Sequence, residues 1–326
     1  MSEIRPVRSE TNINQNTFRE VDMSHVLICG SLGIDSIETP QRNIEDVLGG
    51  SAVYGSVASS FFSNTYMVAV GGEDFSDRDR GLLEKAGIDL SGLEIVSGGK
   101  CFRWRGKYHE NMISRETLET QLNVLETFKP RVPESAQKGG FVFLANVHPG
   151  VQEATLDQIQ SPQFTVCDTM DLWINTARDE LDALLPRVDC IMMNDDELKM
   201  YADLPTLLQS ARKLAEKGPR YVIIKKGEHG SFLFDRDSGG LFICPAFPVE
   251  ALVDPTGAGD SFAGAFTGFL AAAGDTWRDK LREAIVMGAV TASFTVESFS
   301  LDIISRIVRE DIDCRARELK SYMRIA

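Results

Sequence analysis

The stretch DPTGAGDSFAGAF, residues 254–266, decides how the rest of the chain is read. Phe262, Phe266, Phe269, Leu270 and Ala273 recur at helical spacing, so a helix is expected to open at Asp260. Gly257-Ala258-Gly259 then falls where the first turn's N–H groups have no partner inside the helix. Small residues let an anion approach those donors closely, and the helix dipole favours negative charge at that end. A bare aspartate before a helix is as often a simple cap. The whole string is more specific, because amides that hold a phosphoryl group beside a carboxylate that takes a hydroxyl proton are what phosphoryl transfer needs.

Composition limits the partners. The 326 residues are 43% apolar and 25% charged, which suits a soluble globular protein with a sizeable core. A formal charge of −14 argues against nucleic acid or an anionic membrane surface. Any phosphate ligand must be held by local dipoles, a few cations or a metal. The six cysteines are scattered without C-x-x-C spacing, as in reduced core positions, and no run of eighteen apolar residues or signal sequence occurs. A cytoplasmic protein is expected, with 1–22 as a loose polar extension and one domain over 23–326.

Short apolar runs alternate with helix-period segments, the pattern of parallel strands joined by helical crossovers, so the fold class is α/β. Strands are expected at 25–30, 65–70, 141–147, 164–167, 190–193 and 221–225. Helices are expected at 51–62, 179–185, 197–202, 207–217 and 277–296. The alternation breaks at about 35–48 and 98–123, read as a small β lid inserted into the main domain. Within the second, CFRWRGKYH (101–109) has strand-type residues flanking a glycine, as in a hairpin. Alternation puts Phe102 and Trp104 on one face, suited to base stacking or a lid seam, and Arg103 and Arg105 on the other.

Four further elements carry chemistry. CGSLGIDSIE (29–38) ends an apolar strand in Asp35, where open α/β sheets bind ligands and a carboxylate can accept from two hydroxyls. LGGSAVYGSVASSFF (48–62) bares backbone at Gly49 and Gly50. IMMNDDELKM (191–200) sets Asn194 and Glu197 at a strand-to-helix junction, either as a cap or as oxygen ligands for hydrated magnesium. VIIKKGEHGSFLF (222–234) offers Gly227 and Gly230 for close backbone approach and Lys225 or Lys226 as a phosphate cation. Asp168 closes another strand near the same cleft, with packing or capping the plainer role. No P-loop, H-E-x-x-H or dinucleotide glycine pattern occurs, which disfavours a nicotinamide oxidoreductase.

Together these motifs resemble the PfkB (ribokinase-like) carbohydrate kinases over nearly the whole chain from about residue 24. The resemblance implies a three-layer α/β/α sandwich with a mostly parallel sheet and a small β-sheet lid. It implies ATP-dependent phosphorylation of a sugar hydroxyl, with Asp260 as base and Gly257, Ala258 and Gly259 as anion hole. Asp35, Gly49, Gly50 and Tyr54 would meet the substrate, and Lys225, Gly227, Gly230 and Asn194 the nucleotide. Glu197 would hold Mg²⁺ through water, and Asp254 is the candidate ligand for a monovalent cation such as K⁺. The chain departs from the family at Tyr54, where an asparagine that contacts the sugar is common. A nucleoside acceptor of the adenosine or inosine kind is the alternative, and a silent ligand sensor is the non-kinase rival. A homodimer through the lid is the expected assembly.

Overall fold

A computed structural model describes residues 24–112 and 115–323. The extension expected over 1–22 lies outside them. The chain opens with β1 (Val26–Cys29), then β2 (Gly33–Glu38) and β3 (Asn43–Gly49), α1 (Ser51–Ser60), β4 (Thr65–Gly72), α2 (Asp77–Lys85) and β5 (Ile88–Val96). After β6 (Phe102–Tyr108) and β7 (Arg115–Gln121) come β8 (Phe141–Leu144), α3 (Pro149–Leu156), β9 (Phe164–Asp168), α4 (Asp171–Thr176) and α5 (Arg178–Leu184). The second half holds β10 (Cys190–Asn194), α6 (Asp195–Ala202), α7 (Leu207–Ala215), β11 (Tyr221–Lys225), β12 (Ser231–Asp235) and β13 (Leu241–Cys244). Three helices finish it: α8 (Ala258–Ala272), α9 (Leu281–Thr295) and α10 (Arg309–Tyr322).

Nine strands form one sheet in the order β13-β12-β11-β10-β9-β8-β1-β4-β5. Pairing is parallel from β5 through β11 and antiparallel at β12 and β13. All six expected strands are there, because strands buried on both faces read as unbroken apolar runs. Val26 and Ile28 pack into one core cluster with α1, α8 and α9, while Leu27 and Cys29 pack into the other with α3, α5, α6 and α7. That alternation is the α/β/α sandwich. The chain leaves β1 toward β4 on one side and later returns as β8 on the other, so the C-terminal end of β1 is a topological switch point where such sheets bind ligands.

The remaining strands make a separate sheet, β3-β2-β6-β7. Gly106 is not a turn between two short strands: β6 runs straight through it, with a register shift at Arg105/Gly106, and the hairpin is β6–β7. A Cβ at Gly106 would lie 2.0 Å from the Trp104 ring, so the glycine makes room for the indole on the same face. Trp104 clusters there with Ile37, Tyr108 and Phe299 of the main body, while Phe102 packs on the other core and Arg103 and Arg105 face away. The expected helix over 277–296 also divides, into a 3-10 segment, Gly274–Lys280, followed by α9. Two of the four connections to this sheet, the one entering β6 and the one leaving β7, are tied at its base. Asp74 accepts from the Cys101 amide at 2.7 Å and from Arg103 at 3.0 Å, and Asn123 donates to the Cys101 carbonyl at 2.8 Å.

Helices α1 and α8 cross at unusually short range. A Cβ on Gly264 would stand 2.1 Å from the Gly55 carbonyl oxygen, and one on Gly268 2.8 Å from that of Ser59. Gly264→Ala is expected to cost about 1–3 kcal/mol by forcing the helices apart. Gly81→Ala on α2, where a Cβ meets nothing within 4 Å, is expected to stabilise by about 0.5–1 kcal/mol. Urea unfolding midpoints that move the same way in both variants would contradict this packing.

Candidate active site

Both signature segments reach the site through those two helices. Gly50 caps α1 at φ +102, its bare Cα against the Ser31 carbonyl, and Gly257 caps α8 at φ +76 in the left-handed region. A Cβ at Gly257 would meet the Tyr54 ring at 2.4 Å. Tyr54, 1% exposed, therefore lies directly against the anion-hole turn. The Ala258 amide goes to the Pro255 carbonyl at 3.2 Å, and Ser261 bonds Gly257. Among the described residues the Gly257 and Gly259 amides have no such acceptor. Two of the three expected donors are open, beside the Lys225 ammonium that a Gly259 Cβ would approach to 3.0 Å.

Around this turn stands a set of carboxylates on which two cations, Lys225 and Arg115, act. Asp260 is pushed up to about 7, first by burial and then by Asp168, against the pull of Lys225 and Arg115. Lys225 Nζ lies 2.5 Å from Asp168 Oδ2, and Asp168 is 2% exposed. The two lysines thus separate: Lys225 enters the site, whereas Lys226 lies over the Phe232 ring at 5.1 Å. Glu197 is pushed up to about 7 by burial. It forms a capping box with Asn194, whose side chain accepts from the Glu197 amide at 2.8 Å while Glu197 Oε2 accepts from the Asn194 amide at 2.7 Å. Glu197 Oε1 has no protein hydrogen bond among the described residues, which suits an outer ligand of hydrated Mg²⁺. No group of three or more His, Cys, Asp or Glu among the described residues is arranged to bind a metal directly.

At the other end, Asp35 is 4% exposed, and burial with the nearby charges of Asp254 and Asp260 lifts it to about 8. Gly49 is glycine here because the Asp35 carboxylate occupies the place of its Cβ, with Oδ2 at 1.9 Å. Asp254 is raised to about 6 by burial; its Oδ1 accepts from the Thr256 amide at 2.9 Å, and its buried Oδ2 has no partner. A carboxylate oxygen buried without a donor fits a desolvated cation. The Tyr54 hydroxyl is likewise buried and unpartnered. In the small sheet, Tyr108 bonds Thr256 of the anion-hole segment at 3.1 Å. Of the nucleotide glycines, Gly227 has open space around it, while Gly230 is pressed against the Cys244 carbonyl of β13.

One residue escaped the sequence reading. Arg115 pairs with Tyr108 across β6–β7, stacks on Trp104 at 5.6 Å, and lends its charge to Asp35, Asp260 and Glu197. Arg103 and Arg105 pair with Asp46, Asp74 and Glu38.

Residues 23–306 match the model of the pfkB family carbohydrate kinases. The chain belongs to that family. Its phosphotransferase nature and use of ATP follow from membership. A cytidine kinase of Thermococcus kodakarensis is 26% identical over 250 residues, 75% of this chain and 87% of that protein. Among solved structures, fructokinase from Vibrio cholerae O395, bound to fructose, ADP and calcium, superposes with a TM-score of 0.73 at 16% identity, covering 90% of this chain and 99% of its own. A Burkholderia thailandensis nucleoside kinase in complex with inosine gives 0.71 at 18% identity, over 91% and 99%. At such identities the superpositions establish the ribokinase-like fold. Among the described residues no helix is long and apolar enough to cross a membrane.

Because Asp35 rises to about 8, the folded protein holds a proton that the unfolded chain has released above about pH 4. Stability of the ligand-free protein should therefore fall as pH climbs from about 4 to about 8. Asp35→Asn should flatten that fall by at most roughly 5 kcal/mol, about four pKa units at about 1.4 kcal/mol each, read from urea unfolding at several pH values. Parallel curves for the two proteins would refute the assignment.

Proposed function

We propose that the chain transfers the γ-phosphoryl group of ATP to a hydroxyl of an uncharged sugar. The observation that carries this is Asp260, poised near neutrality beside the open Gly257 and Gly259 amides. Asp35 binds acceptor hydroxyls, Tyr54 donates its buried hydroxyl to the acceptor, and Asp260 takes the proton of the attacking oxygen. The two amides and Lys225 hold the migrating group, a contribution of about 3 kcal/mol per well-placed donor. Arg115 comes in from the small sheet, which acts as a lid, to balance charge on the same group. Asn194 and Glu197 would hold Mg²⁺ through water, and the ion would supply charge neutralisation at the nucleotide phosphates. Asp254, with its unpartnered buried Oδ2, would hold K⁺. Arg103 and Arg105 are taken up in ion pairs with Asp46, Asp74 and Glu38 and are not free to hold a phosphate on the acceptor, which favours a free sugar over a sugar phosphate.

A nucleoside acceptor is the second reading. It is favoured by Trp104 and Tyr108 on the lid face toward the cleft, and by the breadth of the match to the cytidine kinase. A panel of pentoses, hexoses, their phosphates and nucleosides with Mg·ATP, followed by ADP release, decides between the readings. Turnover of nucleosides alone would reject the free sugar.

With the acceptor found, Asp260→Asn should lower kcat by at least about 100-fold without loss of fold. In the parent, kcat/KM should rise with pH through a midpoint near the value of about 7 given to Asp260. Near-normal turnover by the folded variant would remove Asp260 as base. Glu197→Gln should raise the magnesium concentration needed for half-maximal rate, and an unshifted magnesium titration would count against its role.

A further inference from the structure

A cavity of about 570 Å³, in the range of small-molecule sites, lies outside the phosphoryl-transfer machinery. It opens between the segment that follows β7 and the first turns of α3. Leu125 and Phe128 form one wall, Val151 and Ala154 of α3 the other, and Trp173 of α4 closes an end. Its polar groups are few. His148 Nδ1 accepts from the Gly150 amide at 3.1 Å, so the neutral ring carries its proton on Nε2 and offers a donor there. Lys129 adds an exposed ammonium at the rim, with Glu126 as the opposing charge.

Hydrogen bonds connect three of these walls to the elements that handle substrate. Trp173 Nε1 donates to Asn146 Oδ1 at 3.0 Å, and the Asn146 carbonyl accepts from Ser51, the first residue of α1, at 2.8 Å. On the hidden side of α3, Gln152, 0% exposed, donates to the Asp168 carbonyl at 2.9 Å, next to the Lys225 ion pair. Asn123, within the cavity-lining segment, holds the Cys101 carbonyl in the β5–β6 connection to the small sheet. A guest between Leu125 and Val151 would press on all three.

We infer that this cavity is an effector site for a small aromatic molecule bearing one acidic group, and that filling it stiffens the small sheet. The ring system lies against Trp173, Phe128 and Leu125; the acid meets Lys129 and the His148 donor. Coupling between linked sites typically amounts to 5–150-fold.

2-Naphthoate is a suitable probe, titrated calorimetrically into the full chain. Binding below about 1 mM is expected, weakened at least about tenfold by Ala154→Trp, which fills the cavity, and about threefold by Lys129→Gln. Val151→Phe serves as the second filling variant should Ala154→Trp unfold. Saturating probe should slow hydrogen exchange across β6 and β7 about fivefold. Neither readout depends on turnover, so they stand even if the kinase reading fails. No binding, undiminished binding to the folded filling variants, or unchanged exchange under saturation would overturn the proposal.

Discussion

The close approach of α1 and α8 is the constraint on which the proposed centre depends. One helix begins at Gly50 and the other at Gly257, so in the proposed reaction the gap between their axes fixes how far the hydroxyl stands from the phosphorus. Gly55, Gly264 and Gly268 permit backbone to touch backbone there, and Tyr54 on Gly257 extends the contact to the first turn. Positioning of reacting groups to within an ångström is where much of an enzyme's rate enhancement resides. The sheet supplies a rigid floor, because both faces of its central strands are buried.

Electrostatics adds a second constraint. An acidic chain has gathered Asp35, Asp168, Glu197, Asp254 and Asp260 around one cleft, and burial raises each of them above an ordinary carboxylate. Cations are placed sparingly among them: Lys225 on the floor and Arg115 from above. In the proposed function a metal, a monovalent ion and a hydroxyl-bearing ligand enter this cleft, and each of those interacts best with the charged form of a carboxylate. Ligand binding and proton release are therefore expected to be coupled.

Much of this was legible in the order of residues, and the failures share a cause. Buried strands such as β1 and β11 announce themselves as apolar runs, while β5 and β13 mix exposed and buried positions and left no clean period. The DPTGAGD string placed the helix, two residues later than α8 begins, and two of its three expected open amides, since both follow from local backbone rules; the Ala258 amide is taken by Pro255. Arg115 could not be found that way. Its importance comes from pairing opposite Tyr108 and from three acids far off in sequence, contacts that only the folded small sheet creates. Asp168 was undervalued similarly, because its partner Lys225 lies on a strand two positions away in the sheet. Gly49 was explained as clearance for a ligand, yet the space it leaves is taken by Asp35 from the same chain.

The doubled fastening at the foot of the small sheet restricts how that sheet can travel. Asp74 grips the strand entering from β5 and Asn123 lashes the segment leaving β7 to the same residue, Cys101, so these two of the sheet's four links to the main body cannot swing independently. With the β1–β2 and β3–α1 links beside them, the sheet is held to move as one leaf instead of peeling away strand by strand.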